Sequence, residues 1–216
     1  MSEYSELAEK RASIYWWFST LLIQELNDEQ TVTLTGESGM GFLDALSMEG
    51  MVAEVDAVKS ALKQLNSNGE MRLELAADFA QTFLRDNKHS ALPYASVYLS
   101  HDGLLYQTAQ KEMADMLQKE GLAVDKDMGE PADHIAVRLD YLGNLVLRGI
   151  KASYETDYRE GLKKQLAFID AQVMNWLPRF VKKSLGVGDA CFYPAICSLL
   201  LSYLQQECAF LSTGVE

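Results

Sequence analysis

Apolar residues recur along this chain at helical spacing almost from end to end. In the opening segment Leu7, Ile14, Phe18 and Leu21 fall on one stripe, with Tyr15 and Leu22 beside it, which predicts a helix from about Glu3 to Leu26. Val52, Val55, Val58, Leu62 and Leu65 predict a second over Met51–Leu65, stopped by Asn66-Ser67-Asn68-Gly69. Leu75, Phe79 and Phe83 align a third over Met71–Leu84. Further helices are predicted over Leu104–Lys119, along the face of Ile135, Leu139, Leu142 and Val146, over Tyr154–Leu177, and over Asp189–Leu211. Pro178 and the Gly186-Val187-Gly188 turn separate the last two. Asn27–Gly41 reads as a loop, and its one β-like run, Thr31–Thr35, has no partner strand. Asn87–Ser100, around Pro93, reads as a non-helical excursion. The sum is eight or nine helices without a sheet, an all-α multi-helix bundle built from amphipathic faces.

One interruption stands apart. Gly121–Glu130 combines a helix-stop glycine, mixed charges and Gly129, and Pro131 then suits a helix first turn. The expected organisation is an N-terminal helical part (1–120), a hinge or linker (121–133) and a C-terminal helical part (134–216), compatible with packing as one domain. A hinge that straightens would let the halves exchange between chains, giving a domain-swapped homodimer.

The 216 residues carry 31 Asp+Glu against 19 Lys+Arg, a formal charge of −12. A polyanion partner needs the opposite balance, so nucleic acid and anionic membrane surfaces are disfavoured and a basic partner is favoured. The N-terminus shows Glu3, Glu6 and Glu9 where an export signal needs positive charge. The most apolar stretches, Ile14–Ile23 and Phe192–Leu204, are too short to span a bilayer. The expectation is a cytoplasmic protein with no membrane insertion. Cys191, Cys197 and Cys208 are odd in number, lack a CxxC spacing and read as reduced thiols.

Enzyme signatures are sparse. There is no P-loop, no GxGxxG after a strand and no GxSxG. His89, His101 and His134 have no metal-ligand spacing, and no metal is expected. His101-Asp102 resembles the dyad of HD-type metallohydrolases, but the further ligands that chemistry needs are missing.

Three strings hold the candidate chemistry. In Glu130-Pro131-Ala132-Asp133-His134, a carboxylate caps the following helix, or the carboxylates and imidazole together grip a cation or hydroxyl. In Pro93-Tyr94-Ala95-Ser96-Val97-Tyr98, the two tyrosines line a peptide groove, or they seal the bundle. In Arg72–Phe79, Asp78 stands beside the apolar face, either semi-buried and in need of a partner or on the surface.

RLELAADF, ALPYASVY and EPADH, in that order and spacing, with the closing FYPAICSLLLSYLQQEC, resemble the TorD/DmsD/NarJ family of redox-enzyme maturation chaperones over most of the chain. The resemblance implies a non-enzymatic, all-helical, cytoplasmic chaperone private to one exported molybdoenzyme. The implied partner is the precursor of a trimethylamine N-oxide reductase of the TorA type, bound through its twin-arginine signal peptide and its apo core. Such a chaperone favours molybdenum-cofactor insertion and delays export. The implied peptide-binding residues are Asp78, Pro93, Tyr94, Ser96, Tyr98, Glu130, Pro131, Asp133 and His134. The resemblance further implies no tightly bound cofactor and weak GTP binding through Asp78 and His134, for which no nucleotide motif is present. The competing readings are a structural helical subunit and the HD-type metallohydrolase.

Overall fold

The computed structural model describes residues 3–122, 129–150 and 155–215. Among these there are eleven α-helices and no strand beyond one isolated bridge. They are α1 (Glu3–Ile23), α2 (Asp28–Thr35), α3 (Glu37–Met48), α4 (Val52–Leu65), α5 (Met71–Phe79), α6 (Ala95–Leu99), α7 (Thr108–Lys119), α8 (Ile135–Ile150), α9 (Glu155–Phe168), α10 (Leu177–Ser184) and α11 (Phe192–Val215). π-helical turns continue α5 over Ala80–Leu84 and α9 over Ile169–Met174. No helix of the described residues is long and apolar enough to cross a membrane.

The chain groups into two compact units, each assembled from separate stretches. The first comprises Met1–Ile23, Pro93–Leu177 and Leu204–Glu216; the second comprises Gln24–Leu92 and Pro178–Tyr203. The expected hinge, 121–133, falls within the first unit, and its residues 123–128 lie outside the described residues.

The core of the first unit is α1 against α8. Ala12, Tyr15, Phe18 and Leu22 follow the helical period on α1, and Ile135, Leu139 and Leu142 do so on α8; all seven are fully buried. The two helices approach closely at Gly143, where a Cβ would lie 2.5 Å from Trp16 Nε1. Ser19 Oγ also donates to the Ala136 carbonyl of α8, at 2.9 Å.

In the second unit the region expected as a loop, Asn27–Gly41, is helical. Asn27 and Gln30 form a reciprocal capping box: Asn27 Oδ1 accepts the Gln30 N–H at 2.9 Å and Gln30 Oε1 accepts the Asn27 N–H at 3.0 Å. The three threonines that suggested a strand bend their hydroxyls back to carbonyls four residues earlier, at 2.8–2.9 Å, which a helix tolerates. Gly39 then lets α3 turn tightly on α2, since a Cβ there would meet the Leu34 carbonyl oxygen at 2.1 Å.

Three other boundaries move. Helix α7 starts at Thr108 rather than Leu104, and a short helix, α6, lies inside the excursion around Pro93. Pro178 opens α10 rather than only ending its predecessor, as its missing N–H costs nothing in a first turn. Leu75, Phe79 and Phe83 are buried as expected, and their aromatic rings pack edge-on with Tyr193 at 5.0 and 5.5 Å.

Candidate functional site

Two of the candidate strings, Pro93–Tyr98 and Glu130–His134, lie in the first unit and are clasped together. Tyr94 and His134 form an isolated antiparallel bridge: the Ala95 N–H donates to the Asp133 carbonyl at 3.1 Å and the Ile135 N–H to the Pro93 carbonyl at 2.9 Å. Of the two prolines, Pro93 carries part of this pairing through its carbonyl, and Pro131 stands before the turn that precedes His134. The Pro131 carbonyl also accepts the His134 N–H at 3.0 Å, closing the turn that leads into α8.

Side chains reinforce the clasp. Asp133 Oδ2 accepts the Ser96 N–H at 2.8 Å and so caps α6, a helix with no side-chain cap of its own. Ser96 Oγ in turn accepts the Gln107 N–H at 3.1 Å, at the start of α7. The Tyr94 hydroxyl donates to Glu130 Oε2 at 2.6 Å, and its ring meets the His134 imidazole edge-on at 5.0 Å. Burial, then the Glu130 carboxylate, hold the Tyr94 phenol well above its ordinary range, so it remains a donor. Tyr98 stacks on Trp176 at 5.5 Å.

Burial separates the roles. Ser96, Asp133 and His134 are essentially inaccessible, whereas Glu130, Tyr94 and Tyr98 are half-buried. Asp133 Oδ1 and the Nε of Arg138 are buried without a hydrogen-bond partner. Arg138 is fully buried, yet its guanidinium donates to Gln172 Oε1 at 2.6 Å and to the Ala109 carbonyl at 3.3 Å. Desolvation lowers its pKa to about 10, against the opposing pull of Asp133, so it stays charged at neutral pH. The clasp thus pins α6, α7 and α8 to one another.

His134 is neutral. Its Nδ1 accepts the Ala136 N–H at 3.1 Å, and burial lowers its pKa to about 3. The unfolded chain takes up this proton near pH 6.5, while the native state refuses it until about pH 3. The unfolded state therefore binds more protons across that window. The contribution of His134 to stability is complete above pH 6.5 and is lost as pH falls, by up to about 1.4 kcal/mol per pH unit. His134→Asn, which keeps an acceptor for the Ala136 N–H, is expected to remove this share of the slope. Urea titrations between pH 6.5 and 4.5 check it, and parallel pH profiles for the two proteins would contradict it.

Asp78 belongs to the second unit and is 4% exposed. Its carboxylate accepts three backbone N–H groups at the start of α11, from Cys191 at 2.6 Å, Phe192 at 3.2 Å and Tyr193 at 2.9 Å. This is a helix cap delivered from another helix, a role the sequence left open. Asp78 and His134 are thus both buried, each with its side chain accepting backbone N–H groups.

His101 and Asp102 stand on an exposed turn, 3.4 Å apart, and His89 pairs instead with Asp86. Among the described residues no three His, Cys, Asp or Glu side chains are grouped to hold a metal ion. The three cysteines are free. Burial raises Cys191 and Cys208 to about 11 and Cys197 to about 12, so all three are neutral thiols near pH 7.

Sequence reasoning missed a buried ionic network in the first unit. Arg11 donates to Glu207 at 2.7–3.0 Å and to Gln165 Oε1 at 2.7 Å, and the Tyr15 hydroxyl donates to Glu207 Oε2 at 2.8 Å. The Arg11 guanidinium also lies over the Phe210 ring, 5.0 Å from its centre. Only Arg11 recurring on the apolar side of α1 could have signalled it.

The profile of the nitrate reductase delta subunit family matches residues 48–182. The chain is 39% identical to the chaperone protein TorD of Vibrio parahaemolyticus over 98% of its length and 99% of that protein's. It is 38% identical to the chaperone protein TorD of Photobacterium profundum, with 98% of each covered. The chain therefore belongs to the TorD chaperone family, within the nitrate reductase delta subunit class, and is not an enzyme. The HD-type hydrolase reading falls with that membership.

Proposed function

We propose that this chain is a system-specific cytoplasmic chaperone of a molybdoenzyme precursor of the TorA type. It binds the precursor's twin-arginine signal peptide and its apo core, keeps the core open for molybdenum-cofactor insertion, and delays export until loading is complete. Family membership supports the chaperone class. The observation that carries the peptide reading is Glu130. It is the accessible carboxylate of the motif, and a donor that stays protonated, Tyr94, fixes its orientation. A carboxylate has about four lone-pair directions and can accept from a phenol and a guanidinium together. The protein's charge of −12 draws a basic leader toward it.

Burial divides the motif between contact and support. Glu130 and Tyr94 meet the arginines; Asp133, His134 and Ser96 hold the clasp; Asp78 holds α11. Calorimetry with a synthetic TorA-type signal peptide tests this. Glu130→Gln is expected to weaken binding about tenfold, the worth of one charge-assisted hydrogen bond, and to flatten its salt dependence. Failure of the wild-type protein to bind the leader would remove the reading. Stable co-purification with mature, metal-loaded enzyme would favour a permanent subunit instead.

A further inference from the structure

Two stretches of the second unit bring cations together in a chain whose formal charge is −12. Arg85 and Lys88 lie in the loop after the π-helical turn that continues α5, and Arg179, Lys182 and Lys183 lie on α10 at helical spacing. Phe83 stacks on Phe180, with ring centres 6.1 Å apart, and Lys183 Nζ donates to the carbonyl oxygen and to Oδ1 of Asn87. The loop therefore runs beside the last turn of α10. Arg85, Lys88, Arg179 and Lys182 are all exposed there.

Asp86 and Asp189 are the carboxylates of the same two stretches, 84–90 and 178–189. Asp86 is engaged by its own loop: it accepts the Lys88 N–H at 2.8 Å and the His89 N–H at 3.2 Å, and pairs with His89 Nδ1 at 2.8 Å. Five cations against two carboxylates leave this edge positive. Lys182 and Lys183 offset the dipole at the end of α10, which accounts for them but not for Arg85 and Lys88. Nor does the dipole account for Leu84 and Leu185. They are 61% and 63% exposed, although Phe83, Phe180 and Val181 close by in sequence are buried. A bare anion gains nothing from exposed leucines, whereas a polypeptide surface covers them and gains from their burial.

We propose that this edge of the second unit docks the client's apo core, through an acidic surface of the core that carries apolar side chains among its carboxylates. The carboxylates meet Arg85, Lys88 and Lys182, and the apolar side chains cover Leu84 and Leu185. Charge complementarity turns a basic leader away from this edge and draws an acidic surface to it. A second copy of this chain also carries carboxylates, but two chains of formal charge −12 repel one another. The inference rests on the core-binding half of the reading above and adds which surface the core uses; it does not depend on the Glu130 contact.

The test is calorimetry with a leaderless apo form of a TorA-type reductase. Lys88→Glu/Lys182→Glu should weaken core binding about tenfold and flatten its salt dependence, while affinity for the leader peptide stays at the wild-type value. Leu84→Ser/Leu185→Ser should weaken core binding in the same direction and keep the salt dependence, since it removes apolar contact and no charge. All four side chains are exposed, so both double variants should melt close to the wild type. If either double variant binds the core as the wild type does, this inference alone is overturned. If wild-type protein binds the leader but no leaderless core, the core-binding reading falls and takes this inference with it. If Lys88→Glu/Lys182→Glu loses binding of inorganic phosphate while core affinity is intact, the edge is an anion site and the proposal is overturned. If that variant changes the sedimentation of the free protein with core affinity intact, the edge is a contact between copies, with the same result.

Discussion

Replacing Glu207 with Ala is expected to destabilise the protein by about 3–5 kcal/mol, the usual cost of leaving a buried charge without its partner. Arg11 and Glu207 are each only 6% exposed, and their bonds join α1 to the C-terminal half of α11 across 196 residues of sequence. Loss of the carboxylate strands the Arg11 guanidinium with Gln165 and the Phe210 ring, and removes the acceptor of the Tyr15 hydroxyl. The double variant Arg11→Met/Glu207→Leu should recover much of the loss, since an apolar pair carries no unpaired charge. It should not recover all, because Tyr15 and Gln165 still lose partners. Urea denaturation of the three proteins measures this. Equal stability of Glu207→Ala and wild type would show that the network contributes little.

Asp78→Ala is expected to cost about 3 kcal/mol, since a buried carboxylate accepting several backbone N–H groups is among the stronger caps. The loss should appear locally, as faster amide exchange at Cys191, Phe192 and Tyr193, the three donors it satisfies. Asp78→Asn keeps an acceptor but loses the charge facing the helix N-terminus, and should lie between the two. The same experiment separates support from contact. A contact residue would lower leader affinity and leave α11 protected; a cap lowers protection in α11 and reaches affinity only through the fold.

Much of the fold was legible in the sequence because periodicity is a local property. The stripes on α1, α4 and α8 were each visible as spacing, and the buried faces follow it except at the helix starts, where Leu7 and Val52 stay exposed. The errors fell where side chains redirect the backbone. Thr31, Thr33 and Thr35 suggest a strand by their β-branching, yet their hydroxyls find carbonyls within a helix, and the Asn27–Gln30 box that starts it is easily passed over among polar residues.

The candidate site divides in the same way. EPADH and PYASVY were visible as strings of chemistry-bearing residues, and the family likeness joined them. Whether each residue faces a ligand or holds the fold was not visible, since that depends on what lies opposite it in space. Asp133 meets Ser96 from 37 positions away, and Asp78 meets Cys191 from 113.

From the sequence alone came an acidic, sheetless chain of amphipathic helices with three informative strings and the likeness of a chaperone. These follow from residue type and spacing, which are fixed before any long-range contact forms. Only the tertiary structure decided that Asp78, Asp133 and His134 are buried against backbone N–H groups, that Glu130 is half-buried, and that Arg11 meets Glu207. Burial is set by the packing of distant segments, and it is burial that gives a carboxylate backbone N–H groups as partners in place of water.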